Sequence, residues 1–119
     1  MNLLHFELYE FDSPDLPGSG KLMKEDFLNL LDDARGIAGV PLTINSGYRT
    51  PKHNRRVGGV ENSSHLKGCA ADIRVTSSSE RWKIVDALIK VGFNRIGIAK
   101  SFIHVDNDPS KPENVIWTY

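Results

Sequence analysis

The spacing of hydrophobic residues predicts two helices. Within residues 23–39, apolar side chains recur every three or four positions, and Gly39 follows as a helix stop. The second helix is predicted within residues 76–92, where Ser77 and Glu80 have the spacing of a capping box. Its predicted buried stripe consists of Trp82, Val85, Leu88 and Ile89.

Five shorter segments have the pattern of strands. They are residues 42–46, 69–75, 95–99, 102–106 and 115–119. A polar segment at 51–64 reads as a long loop with one helical turn near Asn54. Because the helices segregate from strands that can pair antiparallel, we predict a small α+β fold, with the helices packed on one side of an antiparallel sheet.

Size and charge limit the classes of function. A chain of 119 residues with 15 basic and 15 acidic side chains predicts one domain, residues 1–119, without the basic excess of a nucleic-acid binder. The apolar runs are too short for membrane insertion. The start of the sequence lacks the pattern of a signal peptide, so we expect synthesis in the cytoplasm. We also expect a monomer.

Three polar residues on neighbouring predicted elements form a candidate metal site. His65 ends the polar loop, Asp72 lies on the polar face of the next strand, and Gly68 lets the chain turn between them. His104 shares a strand face with Asp106, whereas Ile103 and Val105 would point into the core. If the two strands are neighbours, His65, Asp72 and His104 offer the ligands that zinc takes when one position stays open.

Spacing alone leaves structural alternatives open for each of these residues. His65 could be a surface loop histidine, Asp72 an ordinary residue on a solvated strand face, and His104 a half-buried, hydrogen-bonded side chain. The only cysteine, Cys69, excludes an internal disulfide and a multi-cysteine zinc site. It alternates onto the core face and reads as an inert small hydrophobe.

The segment "SGYRTPKHNRRVGGVENSSHLKGCAADI" resembles the signature of the zinc-dependent peptidoglycan peptidases. These include D-alanyl-D-alanine carboxypeptidases and phage L-alanyl-D-glutamate endopeptidases, and their fold is shared with hedgehog domains. The family pattern Ser-x-His-x-x-Gly-x-Ala-x-Asp occurs here in residues 63–72, and Ser-Gly-Tyr-Arg in residues 46–49. The later family histidine corresponds to His104 in "FIHVD", and the similarity spans about residues 42–106.

This resemblance implies roles for individual residues. His65, Asp72 and His104 become the zinc ligands. Arg49 becomes the anchor for the substrate or the developing oxyanion, with a structural ion pair as its alternative. Ser63 becomes a substrate-side residue that could orient the His65 loop through a backbone hydrogen bond.

At one position the sequence departs from better-known members of the family. They carry an acidic general base three residues before the second zinc histidine, where this chain has Ser101. Asp106 is the predicted substitute as catalytic base. It could instead orient a ligand histidine or cap the following turn. His53, in the polar loop, is a further candidate to stabilise charge near the metal.

The leading hypothesis is a zinc metallopeptidase that cleaves a peptide bond of bacterial peptidoglycan stem peptides or cross-links by metal-activated water. It would act on the cell wall, after release through a phage membrane pore or as a virion component. One alternative is a degenerate member that binds metal or peptide without hydrolysis. Another is a non-haem iron oxygenase, since two histidines and a carboxylate also form the iron facial triad.

Overall fold

A computed structural model describes residues 2–119 of the chain. It has three α-helices: α1 (Glu25–Ala38), α2 (Pro51–Arg56) and α3 (Ser78–Lys90). It also has five strands: β1 (Ile44–Ser46), β2 (Ala70–Arg74), β3 (Arg95–Ile98), β4 (Phe102–Asp106) and β5 (Val115–Thr118). The α+β class is therefore confirmed, and each predicted helix and strand is present with ends that differ by a few residues at most.

Helix boundaries follow from local chemistry. Gly39 ends α1 in the left-handed conformation at φ +70°, which a residue without Cβ adopts freely. Ser77 caps α3 by accepting a hydrogen bond from the Glu80 amide at 3.1 Å. Thr50 caps α2 in the same way through the His53 amide, and Pro51 occupies the first helical position.

The five strands form one sheet in the order β1-β2-β4-β3-β5. Three of its four pairings are antiparallel, but β3 and β5 run parallel. The prediction of a fully antiparallel sheet is therefore wrong for the β3–β5 pair. The chain leaves β4, passes through residues 107–114 and re-enters the sheet beyond β3, and this crossover sets the parallel direction.

One face of the sheet carries the hydrophobic core, against which α1 and α3 pack. Ile103 and Val105 point into this core, as predicted, and are fully buried. Its other large members are Phe11, Phe27, Leu28, Leu31, Ile73, Ile84, Leu88 and Ile96. The opposite face of the sheet is left for polar side chains.

The predicted stripe of α3 is wrong in part. Leu88 is buried and Val85 is partly buried, but Trp82 is 68% exposed and Ile89 is 50% exposed. The face that meets the core instead carries Ile84 and Ala87 beside Leu88, which also satisfies helical spacing. Among residues 2–119, none of the helices has the length and apolarity needed to cross a bilayer.

Candidate metal centre

The polar face of the sheet forms the floor of a cavity of about 410 Å³. His65, Asp72 and His104 lie together in its wall, and one ligand atom from each falls within 4.8 Å of the others. The structure thus brings together the three residues that the sequence predicted as metal ligands.

Strand register brings Asp72 and His104 together. They are direct cross-strand partners in the antiparallel β2–β4 pair, and His104 Nδ1 lies 3.0 Å from Asp72 Oδ1. Side chains of directly opposed residues leave the sheet on the same face and a few ångströms apart. The alternation of apolar and polar residues in both strands therefore sets the positions of two of the three candidate ligands.

A single 3₁₀ turn at Ser64–Lys67 positions His65 next to Asp72 and His104. Ser63 begins this turn, and its Oγ accepts a hydrogen bond from the His65 amide at 3.2 Å, as expected from the sequence. Gly68 ends the turn at φ +72°, so the chain can enter β2 directly. His65 Nε2 lies 3.3 Å from Asp72 Oδ1.

In each histidine ring, the nitrogen that points away from Asp72 contacts a hydrogen-bond acceptor, which determines the tautomer. His65 Nδ1 lies 2.8 Å from the Gly47 carbonyl oxygen, which can only accept, so this nitrogen carries the proton. His104 Nε2 lies 2.7 Å from Asp106 Oδ2 and donates to that carboxylate. In the neutral rings, the lone pairs of His65 Nε2 and His104 Nδ1 therefore both face Asp72 Oδ1.

Two nitrogen lone pairs and a carboxylate oxygen that converge on one point repel one another unless a proton or a metal cation lies between them. The ligands of a tetrahedral zinc ion, each at about 2.0–2.1 Å, are themselves about 3.4 Å apart. The separations at Asp72 Oδ1, 3.0 and 3.3 Å, are a little shorter than that spacing, and all three ligand atoms lie within 4.8 Å of one another. The donor set therefore fits a divalent metal, and the pattern of a carboxylate or carbonyl behind each histidine is the usual support of metal ligands.

The protonation equilibria of these groups reflect the same contacts. Burial would raise the pKa of Asp72, but hydrogen bonds with His104 and His65 outweigh it and hold the pKa well below its usual range. Burial would lower the pKa of His104, but its bonds to Asp106 and Asp72 raise it overall. The charged forms of both groups are thus favoured when no metal is bound.

Asp106 lies behind His104, with its side chain almost fully buried. Its Oδ2 accepts from His104 Nε2, while its Oδ1 accepts from Arg95 Nε at 2.7 Å and from the Asp108 amide at 3.1 Å. Burial would raise the pKa of Asp106, but these hydrogen bonds together lower it. Both oxygens are engaged, an arrangement that favours the orienting role left open by the sequence over the role of catalytic base.

Arg49 lies at the opposite edge of the site. Its Nη2 contacts Asp72 Oδ2 at 3.2 Å, its Nε donates to Ser46 Oγ at 3.0 Å and its Nη1 to Asn54 Oδ1 at 3.2 Å. One oxygen of Asp72 is thereby held by Arg49, and the other remains for a metal. The structural ion pair considered for Arg49 is present, and the guanidinium still lines the cavity.

Three other residues considered from the sequence lie away from the metal ligands. Ser101 is exposed in the turn between β3 and β4, and His53 lies on α2 outside the cavity lining. Cys69 faces the core, as predicted, and burial raises the pKa of its thiol to about 11. Of the carboxylates in the described part of the chain, only Asp72 and Asp106 line the cavity.

Sequence reasoning missed several residues of the cavity wall. Arg95 and Trp117 line it from β3 and β5, with the Arg95 guanidinium 5.1 Å from the centre of the Trp117 ring. If the segment "RIGIAKSFIHVD" had been interpreted as a β-hairpin, its two strands would have paired Arg95 with Asp106. Lys111 also lines the cavity, from the irregular segment before β5, where no periodic pattern indicates its direction.

Comparison with known proteins adds one match. A family model described as Peptidase M15 matches residues 11–106, which include all three candidate ligands and Arg49. A search of curated proteins gave no match.

Proposed function

The chain belongs to the Peptidase M15 family, and on that basis we propose that it is a zinc-dependent peptidase that hydrolyses a peptide bond in the stem peptides or cross-links of bacterial peptidoglycan. The observation that carries the proposal is the convergence of His65, Asp72 and His104 in the wall of an open cavity. The substrate class is supported by the motif resemblance of residues 42–106. We further propose that the protein acts at the cell wall, in a phage-related setting.

In this proposal His65 Nε2, Asp72 Oδ1 and His104 Nδ1 would hold the zinc ion. When bound, zinc polarises a carbonyl oxygen and makes water nucleophilic near neutral pH, the two things that amide hydrolysis requires. Gly47 and Asp106 keep the two histidine rings in the tautomers that leave these atoms available.

Arg49 and Ser63 are proposed to meet the substrate. Three N–H groups of Arg49 are used within the protein, so two remain that can face the cavity and stabilise charge on the scissile carbonyl. Ser63 lines the same cavity next to His65. Asp106 is retained as the candidate catalytic base, and its hydrogen bonds with His104 and Arg95 give it an orienting role as well.

The experiment is digestion of purified peptidoglycan, with the fragments identified by mass spectrometry. We expect new peptide termini from the purified protein, none after chelation, and recovery on addition of zinc. His65→Ala should behave like the chelated protein, whereas His53→Ala, a histidine outside the cavity, should behave like the wild type. New D-alanine would identify a carboxypeptidase, and new L-alanine and D-glutamate ends an endopeptidase.

A second candidate function is binding of metal or peptide without hydrolysis. It is favoured by Ser101 at the position of the usual acidic base and by the engagement of both oxygens of Asp106. Intact peptidoglycan at every metal loading, together with stoichiometric zinc, would support it. Metal analysis of protein purified without added metal also tests the iron alternative, because iron as the main occupant would contradict a zinc peptidase.

A further inference from the structure

Lys111 brings a positive charge into the wall of the cavity that holds the metal-ligating residues. Its Nζ donates a hydrogen bond to Ser64 Oγ at 2.8 Å and lies 3.7 Å from Asp108 Oδ2. The side chain is 18% exposed. An ammonium group has three donors, and this one makes a single hydrogen bond with the described residues, so donors remain for a ligand.

The charge of Asp108 is already balanced by another lysine. Lys67 Nζ contacts its two carboxylate oxygens at 3.2 and 3.0 Å, closer than Lys111 does. Asp108 also accepts from Ser64 Oγ and from the amide and hydroxyl of Ser110. Lys67 is the last residue of the 3₁₀ turn and lines a separate cavity of about 740 Å³.

The remaining charges of the catalytic cavity are paired. Arg49 contacts Asp72, and Arg95 contacts Asp106. Apart from the two candidate ligand histidines, the lining comprises three cationic and two anionic side chains. Lys111 is the cation whose nearest carboxylate, Asp108, is held more closely by Lys67. A partly buried ammonium with spare donors favours a ligand anion, because a charge-assisted hydrogen bond restores the solvation that burial removes.

We propose that Lys111 binds a free carboxylate of the substrate peptide close to the scissile bond. This inference rests on the proposed peptidase function and deepens it, since it assigns the recognition of the carboxylate to Lys111 and leaves Arg49 to Asp72 and the reacting carbonyl. The substrate class is a peptide with an ionised carboxylate at its C-terminus or on the residue next to the cleaved bond.

The test compares three versions of one stem peptide: the free acid, the C-terminal amide, and the peptide with its internal carboxylate amidated. Wild-type protein should cleave one amidated version about 10- to 100-fold less efficiently than the free acid, and that version identifies which carboxylate is bound. Lys111→Met should lose this preference, mainly through a higher KM, because the contact is made in the ground state. Lys111→Arg should restore most of it.

Lys67→Met is the matched control. It removes a lysine from the same Asp108 but not from the catalytic cavity, and its contacts with Asp108 are the shorter ones. If the effect of Lys111→Met came only from disturbing Asp108, Lys67→Met would show it too. We expect Lys67→Met to keep the preference for the free acid, and loss of the preference in both variants would overturn the inference.

The two proposals can fail separately. Cleavage of all three peptides with equal efficiency by wild type and Lys111→Met would overturn the role of Lys111 and leave the peptidase function intact. If no peptide is cleaved, the role of Lys111 is tested by calorimetric titration of the same peptides into the purified protein, which measures their affinity. Tighter binding of the free acid that depends on Lys111 would support the inference without hydrolysis, and absence of any such binding would overturn it.

Discussion

At the scale of single residues, the orientation of His104, a candidate metal ligand, is set by its hydrogen bonds. One ring nitrogen is 2.7 Å from Asp106 and the other is 3.0 Å from Asp72, so the ring is held from both sides. Arg95 in turn keeps Asp106 ionised. This chain of contacts fixes both the direction of the ring and the position of its proton, and each matters for metal binding.

Asp106→Asn tests the orienting role of this carboxylate. The amide keeps the size of the side chain but weakens its hold on the His104 proton, so we expect zinc affinity to fall about 10- to 100-fold. Competition with a fluorescent chelator measures the change. Asp86→Asn, which alters a surface ion pair with Lys90, serves as the control and should leave affinity unchanged. Unchanged affinity in Asp106→Asn with lost turnover would instead make Asp106 the catalytic base.

At the scale of secondary structure, the sheet contributes to the site through one row of residues that crosses all five strands. In strand order, Ser46 pairs with Asp72, Asp72 with His104, His104 with Gly97, and Gly97 with Trp117. Gly97 has no side chain, and the Trp117 ring occupies the space a Cβ would need, only 2.5 Å from the indole nitrogen. The glycine thus lets the indole reach over the sheet towards His104, whose ring centre is 5.5 Å away.

Gly97→Ala should therefore displace Trp117. We expect a loss of about 1–3 kcal/mol in the free energy of unfolding, as for other overpacked sites. Urea unfolding should be measured for Gly97→Ala, for Trp117→Ala and for the double variant. If the loss of stability comes from the clash with the indole, Gly97→Ala should cost little in the Trp117→Ala background. A penalty of the same size in the Trp117→Ala background would mean that strain lies elsewhere in β3.

At the scale of the whole molecule, Asp108 joins parts of the chain that are distant in sequence. Its buried carboxylate contacts Ser64 and Lys67 from the 3₁₀ turn and Ser110 and Lys111 from the segment before β5. Burial would raise the pKa of Asp108, but hydrogen bonds from Ser110, Ser64 and Lys67 outweigh it and hold the pKa well below its usual range.

Asp108→Asn should destabilise the protein by about 3 kcal/mol at neutral pH, because it removes the buried counter-ion of Lys67 and the carboxylate nearest to Lys111. A carboxyl group whose pKa is lowered on folding adds stability above its unfolded pKa, about 3.9, and loses it as the pH falls further. The difference between wild type and variant should therefore shrink below about pH 4. The difference in the free energy of unfolding is measured by denaturant unfolding of both proteins at several pH values in the presence of chelator. A difference that does not change with pH would contradict the ionic explanation.

The convergence of the three candidate ligands could be predicted from the sequence more reliably than the residues that surround them. Asp72 and His104 could be assigned because alternation fixes which face a strand residue occupies. The parallel pairing of β5 with β3 could not be predicted, because the sequence pattern of a strand does not indicate which strand it pairs with. Trp82 was misplaced because α3 has two apolar stripes of helical spacing, and only packing against the sheet selects Ile84 and Ala87 over Trp82.

Cys69 has a practical consequence for the chemical durability of the chain. Its sulfur is buried beneath the 3₁₀ turn and its pKa is about 11, so almost none of it is thiolate near neutral pH. It is also the only cysteine of the sequence. We therefore expect this thiol to react slowly with oxidants while the protein stays folded, and the sequence offers no second cysteine with which it could form an internal disulfide.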